Sequence, residues 1–295
     1  MKNFVLIGAA GYIAPRHMNA IKETGNNLIA AYDPSDSVGI LDSYFPDCSF
    51  FTEFERFDRF IDKWTSINGK IDYFSICSPN YLHDSHIRYA LKNQSDVICE
   101  KPIVLNTNNV DQLIDFNKRF KNNIYTILQL RHHPAILKLR KDVKIELQED
   151  PRKKYKINLK YITSRGKWYL HSWKGDTEKS GGIASNIGVH FFDMLSWIFG
   201  KHESLKIITN EKDHCKGTLS LKNAEVNWEL STNSSFLPNQ TDLRTFRSIE
   251  INKKEIEFSE GFTDLHTVTY QEILKGNGYN INDAKESIEI ISKIR

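Results

Sequence analysis

The chain opens on KNFVLIGAAGYIAPRHMNAI (residues 2–21), an apolar run that breaks at a Gly/Ala turn and continues as an amphipathic helix. Strand, tight turn and helix in that order commit the start of the chain to a βαβ unit, because the helix crosses one face of a sheet and delivers the next strand parallel to the first. The alternation continues. FVLIG (4–8), NLIAAYD (27–33), DYFSICSP (72–79) and DVICEKP (96–102) read as short apolar strands. Residues 14 to about 24, EFERFDRFIDKWTSI, DSHIRYALKN and NVDQLIDFNKRFK read as the helices between and after them. This spacing predicts a doubly wound parallel sheet.

From IYTILQLR (124–131) the texture changes. A helix with a basic face over 135–147 precedes longer alternating strands: KYKINLKYITSR, LKIITN, GTLSL, EVNWELS, TFRSIEIN and EIEFS. LKNAE and INKKE have the look of hairpin turns. One very apolar helix, ASNIGVHFFDMLSWIFG, interrupts the strands, and DAKESIEIISKIR closes the chain. The fold class expected is α/β. A Rossmann domain with a parallel sheet spans residues 1–122, and an α/β domain with an open, mostly antiparallel sheet spans 123–295.

Composition removes several function classes. The 40 basic and 37 acidic residues are spread evenly and leave a net charge of +3, without the basic stripe that a nucleic-acid partner requires. PRKKYK (151–156) reads as a solvated turn leading into a strand. No apolar run approaches the roughly 18 residues of a membrane span, and no secretory leader pattern stands at the N-terminus. Cys48, Cys77, Cys99 and Cys215 lack C-x-x-C spacing. Packed, reduced thiols in a cytoplasmic protein are expected.

The dinucleotide fingerprint places G-x-G-x-x-G between strand and helix, with an acid about 20 residues on. Here Ala9, Gly11 and Ala14 occupy the three glycine positions, with Gly8 just before. The middle glycine, which lets the backbone approach a pyrophosphate, is retained. The last position needs only a small residue, and the helix N-terminus offers free N–H groups to phosphate. Asp33 ends the second strand, where a carboxylate accepts ribose hydroxyls and repels a 2′-phosphate. NAD rather than NADP is therefore expected.

Further candidates stand at strand ends. Lys101, in CEKPI, is placed to hydrogen-bond a substrate hydroxyl. Ser78, Asn80 and His83, in SPNYLH, are expected to line the nicotinamide side. His83 and His86 form an H-x-x-H pair with no carboxylate or thiolate to complete a metal site, so no metal is expected and helix capping at the surface is the reading. In SGGIASNIGVHFFDMLSWIFG (180–200) the helix is apolar nearly all round, yet Asn186, His190 and Asp193 put three polar groups on one face. Such groups must meet one another, backbone or a ligand. His190 is either a satisfied core histidine or a proton acceptor facing a cofactor. SRGKWYLHSWKGD (164–176) concentrates Arg165, Lys167, Trp168, Tyr169, His171, Trp173 and Lys174, a set suited to a sugar ring plus an anion. LRHHP adds Arg131, read as lying at another strand end.

Together the Gly turn, SPNYLH, EKP and SGG…H..D resemble the glucose–fructose oxidoreductase/inositol dehydrogenase superfamily. GAAGYIAPRHM, LRHHP, RGKWY, SWKGD and SGGIASNIGVHFFDML further resemble the UDP-N-acetyl-2-amino-2-deoxyglucuronate dehydrogenases of lipopolysaccharide O-antigen synthesis. That resemblance implies NAD-dependent oxidation at C3 of UDP-N-acetylglucosaminuronic acid, with Lys101 and His190 as the catalytic pair. His190 is favoured as base and Lys101 as the donor that steadies the forming oxyanion. Gly8, Ala10, Gly11, Tyr12, Ile13 and Asp33 are then expected on the cofactor, with Ser78, Asn80, His83, Glu100 and Lys101 at its nicotinamide end. Lys101, Arg131, Arg165, Tyr169, Trp173, Asn186 and His190 are expected on the substrate. Asn186 replaces the aspartate of the usual D-x-x-x-H pattern, as in the closer family. A homo-oligomer, dimer or tetramer, is implied as well. Two alternatives stay open: an NAD-linked dehydrogenase of another sugar or polyol, and a non-catalytic regulator that senses NAD or a sugar.

Overall fold

The computed structural model describes residues 1–238, 244–256 and 264–295. Met1–Val104, Asn108–Gln129 and Asp264–Ala284 form one compact unit; Leu105–Thr107, Leu130–Thr263 and Lys285–Arg295 form another.

In the first unit, β1 (Asn3–Ile7), β2 (Asn27–Tyr32), β3 (Ser49–Phe51), β4 (Tyr73–Ile76), β5 (Asp96–Cys99) and β6 (Ile124–Thr126) pair in the order β3-β2-β1-β4-β5-β6, all parallel. This is the doubly wound order with its reversal between β1 and β4. The strands read as continuous apolar runs, not alternating ones, because both sheet faces are covered, and every residue of β4 is buried. The helices are α1 (Ala14–Glu23), the short α2 (Leu41–Tyr44), α3 (Phe54–Asn68), α4 (His83–Lys92) and α5 (Thr107–Asn117). Cys77 and Cys99 lie buried at the ends of β4 and β5, and burial pushes both thiols well above their ordinary range.

The units divide the chain differently from a single cut at 122/123. β6 completes the parallel sheet, so IYTILQLR stays with the first unit as far as Gln129. A late helix, α10 (Leu265–Leu274), also returns to it. Tyr270, fully buried, stacks on Phe4 of β1 at 5.9 Å. Its hydroxyl lies 2.6 Å from Ser75 Oγ and 2.7 Å from His17 Nδ1.

In the second unit, β7 (Tyr155–Thr163), β8 (His202–Asn210), β9 (His214–Leu221), β10 (Ala224–Ser231), β11 (Thr245–Ile251) and β12 (Lys254–Glu255) pair in the order β12-β11-β7-β10-β9-β8. Only the β7–β10 pairing is parallel among the described residues. The expected hairpins are present: Leu221 faces Ala224, and Ile251 faces Lys254 across Asn252-Lys253, both left-handed as a type I′ turn requires. From residue 257 the strand expected at EIEFS lies outside the described residues. Helices α6 (Pro134–Glu149), α7 (Trp168–His171), α8 (Thr177–Ser180) and α9 (Val189–Phe199) belong to this unit, and α11 (Ile281–Ile294) runs from the first unit into it. In β7, Tyr155, Ile157 and Leu159 are buried while Lys156 and Asn158 are exposed. The covered face meets α9 through Phe192, whose ring stands perpendicular to Trp228 at 5.4 Å. No described helix is long and apolar enough to cross a membrane.

The Tyr270 hydroxyl ties α10 to β4 and α1. Tyr270→Phe leaves Ser75 and His17 each short of a buried partner, and a loss of about 1–3 kcal/mol is expected. Urea unfolding is expected to show a lower midpoint at unchanged slope.

Candidate active site

At the end of β1 the backbone turns under a tight steric demand. Gly8 has φ +91°, and a Cβ there would stand 2.5 Å from Ser78 N and 2.6 Å from Cys77 C. Only glycine lets β1 and β4 end so close together. The stringent position is thus Gly8, while Gly11, whose N–H donates to Gly8 O at 3.2 Å, is less crowded. Helix α1 starts after Ile13 without a side-chain cap; Ala14 N–H donates to Gly11 O at 3.1 Å, Pro15 has no N–H, and Arg16 N–H donates to Ile13 O at 3.0 Å. Asp33 Oδ2 accepts the Ala10 N–H at 3.0 Å and Oδ1 accepts the Ser35 N–H at 2.9 Å. Each oxygen keeps a lone pair for a hydroxyl. The turn carrying Gly8, Ala10, Gly11, Tyr12 and Ile13, with Asp33 beside it, fits a dinucleotide diphosphate and ribose.

The next strand ends are joined by histidines. His83, fully buried, has Nδ1 2.8 Å from Pro102 O and Nε2 2.8 Å from Ser78 O. His86 Nδ1 lies 2.8 Å from Ser78 Oγ. Neither histidine is at the surface, because α4 packs this face onto the sheet. His83 thus clasps the ends of β4 and β5, both ring nitrogens engaged with backbone carbonyls. Ser78 and Asn80 are buried beside it.

Glu100 ends β5 only 5% exposed. Its Oε1 lies 3.0 Å from His17 Nε2 and 2.9 Å from His266 Nε2, and its Oε2 accepts the N–H of Lys101 at 3.1 Å. Burial alone would raise this carboxyl, but hydrogen bonds from the two imidazoles overcome it and hold it well below the usual range. Lys101 follows, half-buried. His17 was legible as a polar residue on the buried face of α1; His266 and Tyr270, far along the chain, carried no local signal. The three ligand-type atoms of His17, Glu100 and His266 lie within 4.8 Å of one another, and hydrogen bonding accounts for the spacing.

In the second unit the apolar helix is irregular where its polar groups begin. Ala184–Gly188 forms a π-helical turn leading into α9, a feature frequent at functional sites. Asn186 and His190 are half-buried while most neighbours are buried. Asn186 Nδ2 donates to Lys174 O at 3.3 Å. Asp193 instead points inward, where Arg131 grips it with Nε at 2.9 Å from Oδ2 and Nη2 at 2.7 Å from Oδ1. Arg131 is therefore corrected: it lies in a 3-10 turn (Gln129–His132), not at a strand end, and its buried guanidinium is engaged with Asp193.

Tyr169 is 4% exposed, and its hydroxyl meets no hydrogen-bond partner among the described residues. Burial pushes the phenol up to about 12, with Arg165 and Asn186 near enough to pull the other way. A buried hydroxyl without a partner is a place for a ligand. Arg165 is exposed, and Trp173 is half-buried with Lys174 Nζ 4.1 Å above its ring. Gly175 closes this turn, since a Cβ there would collide with Leu170 O.

Two outcomes are expected from these contacts. Arg131→Met strands a buried carboxylate and is expected to cost about 3–5 kcal/mol, most of it recovered in the double variant with Asp193→Leu. Burial lowers His17, His83 and His86 below 6.5, His86 to about 4. Their contribution is complete above the unfolded value and is lost as pH falls through the folded ones. The urea midpoint is expected to fall on acidification from 6.5 towards 4, and less steeply in His86→Asn.

The oxidoreductase family described by an NAD-binding Rossmann fold matches residues 2–127, and that family's C-terminal alpha/beta domain matches 153–252. The crystal structure of the WlbA (WbpB) dehydrogenase from Thermus thermophilus, in complex with NAD and alpha-ketoglutarate, is 43% identical. The match covers 100% of this chain and 94% of that one with a TM-score of 0.94. The same enzyme with NAD and UDP-GlcNAcA matches at 42% identity over 99% of this chain and 94% of that one, with a TM-score of 0.94. Glucose-6-phosphate 3-dehydrogenase of Bacillus subtilis is 26% identical over 203 residues, 68% of this chain and 54% of that relative. The putative oxidoreductase YteT of Bacillus subtilis is 23% identical over 40% of this chain and 28% of its own length, so the chain spans about half or less of these curated relatives. By both domain matches and by identity along the whole chain, this protein belongs to the glucose–fructose oxidoreductase/inositol dehydrogenase family of oxidoreductases, with its NAD-binding Rossmann fold.

Proposed function

We propose that the chain oxidises the C3 hydroxyl of UDP-N-acetylglucosaminuronic acid to the 3-keto sugar with NAD. The observation that carries this reading is the 42% identity, over nearly the whole of both chains, to a dehydrogenase crystallised with NAD and UDP-GlcNAcA. In this reading residues 1–122 hold the cofactor, and residues 123–295 hold the substrate and form the contacts of a homo-oligomer. NAD, when bound, accepts the hydride from C3. His190 takes the proton of the C3 hydroxyl, and Lys101 donates a hydrogen bond to the oxygen as charge develops there. Arg165, Tyr169 and Asn186 hold the uronate and ring hydroxyls; the orphaned Tyr169 hydroxyl and the π-helical turn under Asn186 support that assignment. Trp173 offers a face to the sugar. Arg131 serves by anchoring the His190 helix through Asp193. The setting proposed is cytoplasmic O-antigen precursor synthesis.

A second reading, an NAD-linked dehydrogenase of another sugar, is favoured by the likeness to glucose-6-phosphate 3-dehydrogenase over 68% of this chain. A regulator would have no need of the Lys101 and His190 pair.

Purified protein with NAD is expected to show nicotinamide reduction with UDP-N-acetylglucosaminuronic acid and not with UDP-N-acetylglucosamine. Reduction with glucose 6-phosphate instead favours the second reading. Should the signal stop below one turnover, an added keto acid separates trapped NADH from an unfavourable equilibrium. Lys101→Met and His190→Asn are each expected to lower kcat at least ~100-fold while NAD still binds.

A further inference from the structure

The two edges of the parallel sheet are finished differently. At β6 the returning chain closes the edge: Tyr125 bridges Asn280 antiparallel, and the Thr126 N–H donates to Tyr279 O at 2.9 Å. At the opposite edge stands β3, which pairs only with β2 among the described residues. Its register fixes which backbone groups are spent. Phe51 lies opposite Tyr32, and Phe51 O accepts the Asp33 N–H at 3.2 Å, so Phe51 turns its polar backbone groups to β2. Successive residues of a strand turn to opposite sides, so the N–H and C=O of Phe50 point away from β2.

Beside that edge runs a groove of about 700 Å³, bounded by β3 and α3. Phe50, Phe51 and Phe60 give it an apolar lining. Helix α3 adds Arg56, Arg59 and Lys63, which with Phe60 recur at i, i+3, i+7 and i+4 and so share one helix face. One carboxylate lines the groove, that of Glu53, 3.7 Å from Arg56. Arg59 and Lys63 are exposed and make no ion pair among the described residues.

A bare edge invites pairing, and chains commonly blunt it with a charge on the strand itself. Ser49–Phe51 carries none. The cations stand across the groove on the helix, where they select what can pair. A second copy of this edge would bring α3 beside its own image, cations facing cations, and like charges at close range repel. A nucleic acid matches the charge but has no strand backbone to meet Phe50. An extended polypeptide bearing carboxylates answers both.

We propose that the β3 edge is a docking groove for an extended acidic segment of a partner protein. The segment adds to the sheet beside Phe50, and its carboxylates on the helix side meet Arg56, Arg59 and Lys63. In this mode of recognition main-chain hydrogen bonds supply affinity, and alternate side chains supply specificity.

The test is fluorescence anisotropy with four labelled nine-residue peptides, in which Glu alternates with Val, Ile, Thr or Tyr, added to the full chain at low salt. Saturable binding is expected for at least one of them, and none for counterparts with Lys in place of Glu. The double variant Arg59→Glu/Lys63→Glu is expected to keep the wild-type urea midpoint and to bind at least about tenfold more weakly. A strand has two edges, so N-methylation of one alternate set of peptide amides is expected to abolish binding while methylation of the other set leaves it. Absence of saturable binding by all four peptides overturns the proposal. So does equal binding of the two methylated forms, or equal binding of a single-stranded oligonucleotide, since either reduces the groove to a cationic patch. A wild-type dimer that the double variant loses also overturns it, because the edge would then seat a second copy of this chain.

Discussion

One carboxylate oxygen gathers three distant pieces of the first unit. Glu100 Oε1 meets His17 from α1 and His266 from α10 at the end of β5, and the far side of His17 runs through Tyr270 to Ser75 in β4. A buried carboxylate tolerates no missing donor, so the helix after the Gly turn, the central strands and the late helix are held in one register. The other carboxylate oxygen, Oε2, accepts the Lys101 N–H, so the backbone of the candidate catalytic lysine is positioned by the residue that closes the core. His83 adds a second clasp two residues on, at the Pro102 carbonyl.

The second unit solves a similar problem with opposite chemistry. Its apolar helix carries Asp193, and the answer is a forked guanidinium rather than a pair of imidazoles. Charge is cancelled there, which suits a brace. It leaves Asn186 and His190 as the polar groups of that helix that keep some exposure, the outcome a binding surface needs. The π-helical turn just before α9 resets the spacing between these two residues, so the four-residue interval in the sequence is not the interval of an ideal helix.

Period and punctuation made most of the fold legible. Short apolar runs between helices implied the parallel sheet, and alternation with hairpin turns implied the second one. Gly8, Gly11 and Asp33 were readable because a dinucleotide turn imposes local rules. Local pattern is silent where partners are remote. Arg131 was read as available because Asp193 stands 62 residues away. His83 and His86 are different: their partners at Ser78 lie only five and eight residues before them, and it is the fold of β4 onto α4, with the Pro102 carbonyl 19 residues on, that buries them. The boundary near residue 122 follows a change of texture, and the compact first unit also gathers a helix that begins at Leu265.

That returning helix bears on how such a protein can be taken apart. A fragment ending at Gln129 would carry the Gly turn, Asp33, Ser78 and Lys101, every local mark of nucleotide binding. It would lack His266 and Tyr270, leaving Glu100 with one imidazole and His17 with no partner at Nδ1. The nucleotide-binding half is therefore not a portable cassette. Recombination between relatives that exchanges only the N-terminal stretch would pair α1 and β5 from one parent with α10 from another. Parents whose residues match at 17, 100, 266 and 270 would yield an intact core by that route.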